Sequence, residues 1–136
     1  MIETNYTEIN RRPSTFLIDI DGVIFRQKLR WNNGNHPIKL NVVLDLIKSA
    51  RDQINACYRR GDTIVLITAR PVAYKQETQT QLNEAGILYH QLIMSLPTGK
   101  RILVNDRKVE EPEVNTAIAI NLNRDEGFGN INLLEI

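Results

Sequence analysis

The chain lacks the residues that build disulfides and thiolate or imidazole metal sites. Its 136 residues include a single cysteine, Cys57, and two histidines, His36 and His90, which lie far apart in the sequence. One cysteine excludes an internal disulfide, and a soft-metal site needs a cluster of thiols and imidazoles that the sequence does not supply. We therefore expect Cys57 and His90 to serve packing.

Long apolar runs and an excess of one charge are also missing. No window approaches the ~18 apolar residues that a membrane span needs, and the opening "MIETNYTEINRRPS" lacks the apolar core of a signal peptide. Lys and Arg number 17 against 16 Asp and Glu, so no overall field favours nucleic acid or an anionic membrane. These absences predict a soluble, cytoplasmic protein without a membrane partner, and they disfavour a nucleic-acid partner.

Hydrophobic patterning predicts strands that alternate with helices. Continuous apolar runs are typical of strands that are covered on both faces, and "TIVLIT" is the clearest of them. The polar stretch at 27–38, with Asn-Asn-Gly and a proline, predicts a flap-like loop. The predicted strands are residues 16–20, 63–68, 87–94, 101–105 and 116–122.

Two helices are predicted between these strands. A helix over about 41–60 is indicated by apolar residues at spacings of three and four, and Gly61 closes it. A second helix follows Pro71 and ends at Gly86. The chain length fits one domain over residues 1–136, and the alternation predicts an α/β fold: a Rossmann-like, open, mostly parallel sheet with helices on both faces. The expected inner residues are Val43, Ile47, Ala50, Ile54 and Cys57 in the first helix and Tyr74, Thr78, Leu82 and Ala85 in the second.

Two carboxylates follow the first predicted strand. The stretch "FLIDIDGVIF", residues 16–25, places Asp19 and Asp21 at the end of an apolar run, with Gly22 behind them. Two like charges at such a position repel each other and lose hydration, so stability does not explain them. We expect a cation between them.

Polar residues end other predicted strands as well. Thr68 and Arg70 follow the second strand, and Asn105 and Asp106 follow the fourth. The carboxyl ends of parallel strands meet at one edge of a sheet, where ligands bind. Three carboxylates and a hydroxyl at that edge favour Mg²⁺, which keeps coordination positions for water and a substrate phosphate. One carboxylate can then attack phosphorus while the other exchanges a proton with the leaving oxygen.

The order of these segments resembles the haloacid dehalogenase superfamily. Its first motif, an apolar run followed by DxDGV, is matched by "FLIDIDGVIF"; its second, an apolar strand ending in Thr or Ser, by "TIVLITAR"; its fourth, a strand ending in acids, by "RILVNDRKVE". The resemblance covers roughly residues 14–123. It implies a haloacid dehalogenase-like core without a large cap, similar to small bacterial and phage phosphatases found with surface-sugar (capsule) biosynthesis.

The resemblance also implies roles for individual residues. Asp19 is the expected nucleophile, which forms an aspartyl-phosphate, and Asp21 the expected general acid and base. Thr68 is expected to donate a hydrogen bond to the phosphoryl oxygens. The expected substrate-binding residues are Gly22, Ala69 and Arg70, and the expected Mg²⁺ ligands are Asp19, Asp21 and Asp106. Arg70 has a plainer alternative, a salt bridge near the second helix.

The family's third motif is a lysine, often just before a proline, and here Leu96 precedes Pro97. Lys100 is the preferred substitute for that lysine, and Arg101 is the second choice. The missing lysine keeps a different hypothesis open, in which the chain is a non-catalytic module that binds metal and phosphate.

The leading hypothesis is a Mg²⁺-dependent phosphatase that hydrolyses a small sugar phosphate through Asp19. A polynucleotide 3′-phosphatase is the alternative within the enzyme class, although the net charge of +1 speaks against it. A phospho-accepting receiver domain is disfavoured because the third predicted strand, in "LYHQLIMS", has no acid. Capless relatives occur as tetramers, so a homo-oligomer, dimer or tetramer, is expected.

Overall fold

The computed structural model of the protein describes residues 11–27 and 41–136, which form a small parallel sheet flanked by helices. The strands are β1 (Thr15–Asp19), β2 (Thr63–Ile67) and β3 (Gln91–Ile93). The α-helices are α1 (Val42–Asp45), α2 (Lys48–Arg59) and α3 (Lys75–Glu84), and 3₁₀ turns occupy Val72–Tyr74 and Leu133–Glu135.

The sheet has the order β1-β2-β3, and both pairings are parallel. Asp19 at the end of β1 pairs with Ile67 at the end of β2, which in turn pairs with Ile93 of β3. Because parallel neighbours need a long crossover, a helix lies in the chain between each pair of strands. The predicted α/β class with a parallel sheet is confirmed.

The core lies on one face of this sheet. Ile64 and Leu66 of β2 belong to a single buried cluster, whereas Val65 and Ile67, which strand alternation directs to the opposite face, lie outside it. Val65 and Ile67 are nevertheless buried, at 7% and 8% exposed, so the other face of β2 is also covered. The cluster also contains Ile18 and Ile20, Ala50, Ile54 and Cys57 from α2, Leu82 from α3, and Phe128 and Leu133 from the C-terminal segment.

The helix predicted over 41–60 is interrupted. α1 ends at Asp45, and Leu46 is extended, with φ −70° and ψ 131°. The break follows from tertiary hydrogen bonding, because the Ile47 amide donates to the Ile24 carbonyl at 2.8 Å. Val43, predicted to face inward, is exposed for the same reason, while the predicted inner residues of α2 are buried.

Two predicted strands, 101–105 and 116–122, are not strands in the structure. Most of their apolar side chains face solvent, with Ile102 82% and Val104 89% exposed, whereas Leu122 packs against the core. An apolar run becomes a strand only where a neighbouring backbone accepts its hydrogen bonds, and in the described residues none does. The third predicted strand is confirmed but short, at Gln91–Ile93.

Cys57 has the packing role that the sequence suggested, whereas His90 is exposed and packs through one ring contact. Cys57 is fully buried in the core. The His90 ring stacks on Tyr58 with centroids 4.6 Å apart, and its Nδ1 accepts the Ile64 amide at 3.0 Å. The His90 ring thereby accepts a hydrogen bond from the backbone near the start of β2.

The helices described here are too short and too polar for any of them to cross a lipid bilayer. Most of the predicted flap-like loop, residues 28–38, lies outside the described residues.

Candidate functional site

Asp19 stands at the carboxyl edge of the sheet. It is the last residue of β1 and pairs with Ile67, so Thr68 follows on the neighbouring strand. Burial raises the pKa of the Asp19 carboxyl, while the charge of Arg101 and a hydrogen bond from the Ile20 backbone oppose the rise. Among the described residues Asp19 has no ion pair. Its carboxylate is thus partly desolvated and without a direct counter-charge.

Asp21 is in the opposite situation, because Arg70 forms a bidentate salt bridge with it. The guanidinium Nε lies 2.9 Å from Oδ2 of Asp21 and its Nη2 lies 2.8 Å from Oδ1. The Arg70 side chain is 1% exposed and that of Asp21 13%. Arg70 is itself held by α3, donating to Thr78 Oγ1 at 3.1 Å and to Gln81 Oε1 at 2.6 Å. Arg70 thus places a positive charge beside Asp21 and forms a salt bridge, as its plainer alternative predicted.

Thr68 is buried at the start of the turn that carries Arg70. Its Oγ1 accepts the Arg70 amide at 3.0 Å, which fixes the turn. The backbone of the segment after β3 holds the same turn from the other side, since the Leu96 amide donates to the Thr68 carbonyl at 3.1 Å and the Ser95 amide to the Arg70 carbonyl at 2.8 Å. Ala69, between Thr68 and Arg70, faces solvent.

Gly22 makes the turn after the two carboxylates. Its φ is +91°, a conformation that favours glycine, and its amide donates to the Phe25 carbonyl at 2.7 Å. The Asp125 amide donates to the Gly22 carbonyl at 2.9 Å, and a Cβ at position 22 would lie 3.2 Å from Cγ of Arg124. The turn thus binds the segment around Asp125 and holds it next to Asp19 and Asp21.

Arg124 is the residue that sequence reasoning missed. Its charge helps to lower the pKa of Asp19, against the larger effect of burial. The sequence offers no signal for this beyond a basic residue after an apolar run, because contacts of Asp125 with Gly22 and Gln27 bring position 124 to the carboxylates.

The cation expected in place of the family's lysine is better matched by Arg101 than by Lys100. Arg101 supplies the largest charge effect on Asp19, and its guanidinium donates to the Pro97 carbonyl at 2.6 Å. Lys100 is exposed, and no hydrogen bond or ion pair to another described residue involves it. The preferred choice of Lys100 therefore gains no support from the structure.

Asp106 does not join Asp19 and Asp21. It lies on an exposed segment, because the strand that was predicted to carry it to the sheet edge is absent. Within residues 11–27 and 41–136 no three acidic, histidine or cysteine side chains are close enough to hold a metal ion. The two carboxylates present do not fit Mg²⁺ by themselves, since Asp21 already receives two guanidinium hydrogen bonds.

Comparison with known proteins identified no relative: no protein-family model, curated protein or solved structure matches the chain. The haloacid dehalogenase resemblance therefore rests on the three sequence motifs.

Proposed function

We propose that the protein hydrolyses a phosphomonoester through an aspartyl-phosphate on Asp19. The observation that carries the proposal is the difference between the two carboxylates. Arg70 holds Asp21, whereas Asp19 has no ion pair in the described part of the chain and lies in the field of Arg124. A nucleophilic carboxylate needs an uncommitted oxygen, and nearby cations attract a phosphate dianion.

The reaction has two displacements at phosphorus. A carboxylate oxygen of Asp19 attacks the phosphorus, the bond from phosphorus to the ester oxygen breaks, and the leaving alcohol takes up a proton. Water then attacks the phosphorus of the aspartyl-phosphate, the bond to Asp19 breaks, and inorganic phosphate departs. The sum is one ester and one water converted to one alcohol and one phosphate.

Asp21 is assigned the proton transfers. Each of its oxygens accepts one hydrogen bond from Arg70, and a carboxylate oxygen has two lone-pair positions, so a site for a proton remains. Arg70 is a positioning residue in this scheme because it fixes the direction of the Asp21 carboxylate. Thr68, through its hydroxyl, and the Ala69 backbone are assigned to the phosphoryl oxygens, whereas the Gly22 amide is used by the Phe25 carbonyl and shapes the turn.

The substrate class and the metal come from the family resemblance. It implies a small sugar phosphate and a requirement for Mg²⁺. We derive no step through the metal, because the described residues supply two of the three expected carboxylates and one of those is paired with Arg70.

The direct experiment is release of inorganic phosphate by the native chain and by Asp19→Asn. The panel contains sugar phosphates, nucleotides and a 3′-phosphorylated oligonucleotide, each with and without Mg²⁺. We expect the substitution to lower the rate on the order of 10³-fold or more. Asp52→Asn is the matched control, because Asp52 is an exposed helix residue that pairs with the neighbouring Arg51. Full activity of Asp19→Asn contradicts the proposal.

A second candidate is a non-catalytic module that binds metal and phosphate. It is favoured by Leu96, at the position of the family's lysine, and by the ion pair that occupies Asp21. It predicts that calorimetry detects Mg²⁺-dependent binding of phosphate while no ester in the panel is turned over. Any turnover that depends on Asp19 excludes it, and preference for the oligonucleotide identifies the 3′-phosphatase alternative.

A further inference from the structure

No strand of the described residues lies beside the outer edge of β1. In the described sheet β1 pairs only with β2, and the backbone groups on its other side pair with no described strand. Leu17, in the middle of β1, is 48% exposed. An apolar strand with a free edge is a template for pairing with another strand.

The same chain carries a strand-like segment without a partner. We call residues 97–121 the arm. Its large aliphatic side chains face solvent, and the hydrogen bonds of its tip are local, such as Asn105 Nδ2 to the Thr116 carbonyl at 3.1 Å. Such a run of exposed aliphatic residues marks an interaction site. The exposed aliphatic residues of the arm are Ile102, Leu103, Val104, Val109, Val114, Ile118 and Ile120.

The arm cannot pair in parallel with β1 of its own chain. Leu96 is fixed at the carboxyl edge by its bond to the Thr68 carbonyl, so the link to Arg101 is residues 97–100. A parallel alignment starts Arg101 beside Thr15, ~16 Å along the sheet and ~14 Å across three strand spacings, about 21 Å in all. Five Cα steps span at most ~18 Å. Parallel crossovers use a dozen residues or more.

Residues 101–105 can reach β1 of their own chain in an antiparallel alignment. That alignment places Asp106 far from Asp19. The run 101–105 would then start at the carboxyl edge and end near Thr15, which leaves Asp106 at the opposite end of β1 from Asp19. Only a parallel alignment brings Asp106 to Asp19.

We propose that residues 101–105 of a second copy pair in parallel with the free edge of β1, and that Asp106 of that copy completes the carboxylate site at Asp19. Exchange of the arms in both directions gives a closed, symmetric dimer. The strand pairing rests on the sheet edge and the arm, and the role of Asp106 rests on the proposed function.

Disulfide trapping between differently tagged copies tests the strand pairing. Thr15→Cys on one copy and Arg101→Cys on the other are neighbours in the parallel register, whereas Asn105→Cys would neighbour Thr15→Cys in the antiparallel one. We expect a covalent heterodimer from the first mixture and none from the second. A disulfide confined to one chain in a Thr15→Cys, Asn105→Cys double variant overturns the proposal.

Sedimentation velocity provides an independent check with two matched variants. Val104→Asp places a charge in the pairing run, and Val109→Asp places it at the tip of the same arm; both side chains are about 90% exposed, so neither change disturbs a single folded copy. We expect the native chain and Val109→Asp to be dimers and Val104→Asp to be a monomer. A monomeric native chain overturns the proposal.

Complementation tests the shared site. Asp19→Asn and Asp106→Asn are expected to be inactive alone, and a mixture that has exchanged subunits is expected to regain about a quarter of native turnover per site. Native turnover without such recovery overturns the shared site and leaves the proposed function standing. Heterodimer trapping without any native turnover supports the strand exchange and counts against the proposed function.

Discussion

Burial acts against the charge of Asp19, and this gives a prediction about stability. Because its pKa is raised in the folded protein, the ionised carboxylate lowers stability at every pH above that value. We expect Asp19→Asn to raise the thermal unfolding midpoint at pH 7, and we expect the gain to vanish as the pH falls through the folded pKa, where native Asp19 is protonated. Scans at pH 7 and about pH 4 check this. A lower midpoint for Asp19→Asn at pH 7 contradicts it.

Asp62 is the opposite case, a buried carboxylate that stabilises the fold. Burial raises its pKa. Hydrogen bonds from the Ser14 amide at 2.9 Å and from the guanidinium groups of Arg60 at 2.5 Å and Arg11 at 2.7 Å lower the pKa by more than burial raises it, so the pKa is lowered overall. These contacts join the residues before β1 to the end of α2.

The lowered pKa sets the pH dependence of the Asp62 contribution. It is fully present above the unfolded pKa of ~3.9 and is lost as the pH falls through the lower, folded value. We expect Asp62→Asn to reduce the free energy of unfolding by about 2–3 kcal/mol at pH 7, and the difference from the native chain to shrink below about pH 3.9. Urea unfolding at both pH values measures this, with exposed Asp52→Asn as the control. An equal difference at both pH values argues against the assignment.

At the scale of elements, the turn at Gly22 positions both the carboxylates and the C-terminal segment. Alanine at position 22 would hold a φ of +91° and meet Arg124 at 3.2 Å. We expect Gly22→Ala to lower the free energy of unfolding by about 1–2 kcal/mol, the usual cost of a left-handed residue. Gly99→Ala is the control, because Gly99 has open space around it and no positive φ. Equal midpoints for the two variants in urea contradict this account.

Elements were predictable from the sequence where local pattern and tertiary partner agree. β1, β2, α2 and the inner stripe of α3 follow from apolar spacing because each packs on the one core. The break at Leu46 was not predictable, since the Ile24 carbonyl that causes it lies far away in sequence. The run 101–105 has the pattern of a strand, but pattern does not supply the neighbouring backbone that a strand requires.

The candidate site was predictable to the same extent. Asp19, Asp21 and Thr68 follow from the ends of confirmed strands, and the turn at Gly22 follows from its lack of a side chain. The pairing of Arg70 with Asp21 and the approach of Arg124 depend on side-chain geometry and on a contact between distant segments. Asp106 was misplaced because its position depended on the strand before it.

At the scale of the whole molecule, the free edge of β1 and the exposed arm make stability depend on protein concentration. A partner that binds only the folded chain stabilises it by mass action, so an arm-exchanged dimer unfolds at a higher temperature when it is more concentrated. We expect the native thermal midpoint to rise between about 1 µM and about 100 µM protein. Val104→Asp should lose this dependence and melt at the low-concentration value throughout, whereas Val109→Asp should keep it. The comparison separates pairing through residues 101–105 from general association of apolar surface, because the two valines are about equally exposed on the same arm. A native midpoint that is constant over this range means that the arm and the β1 edge do not meet between copies.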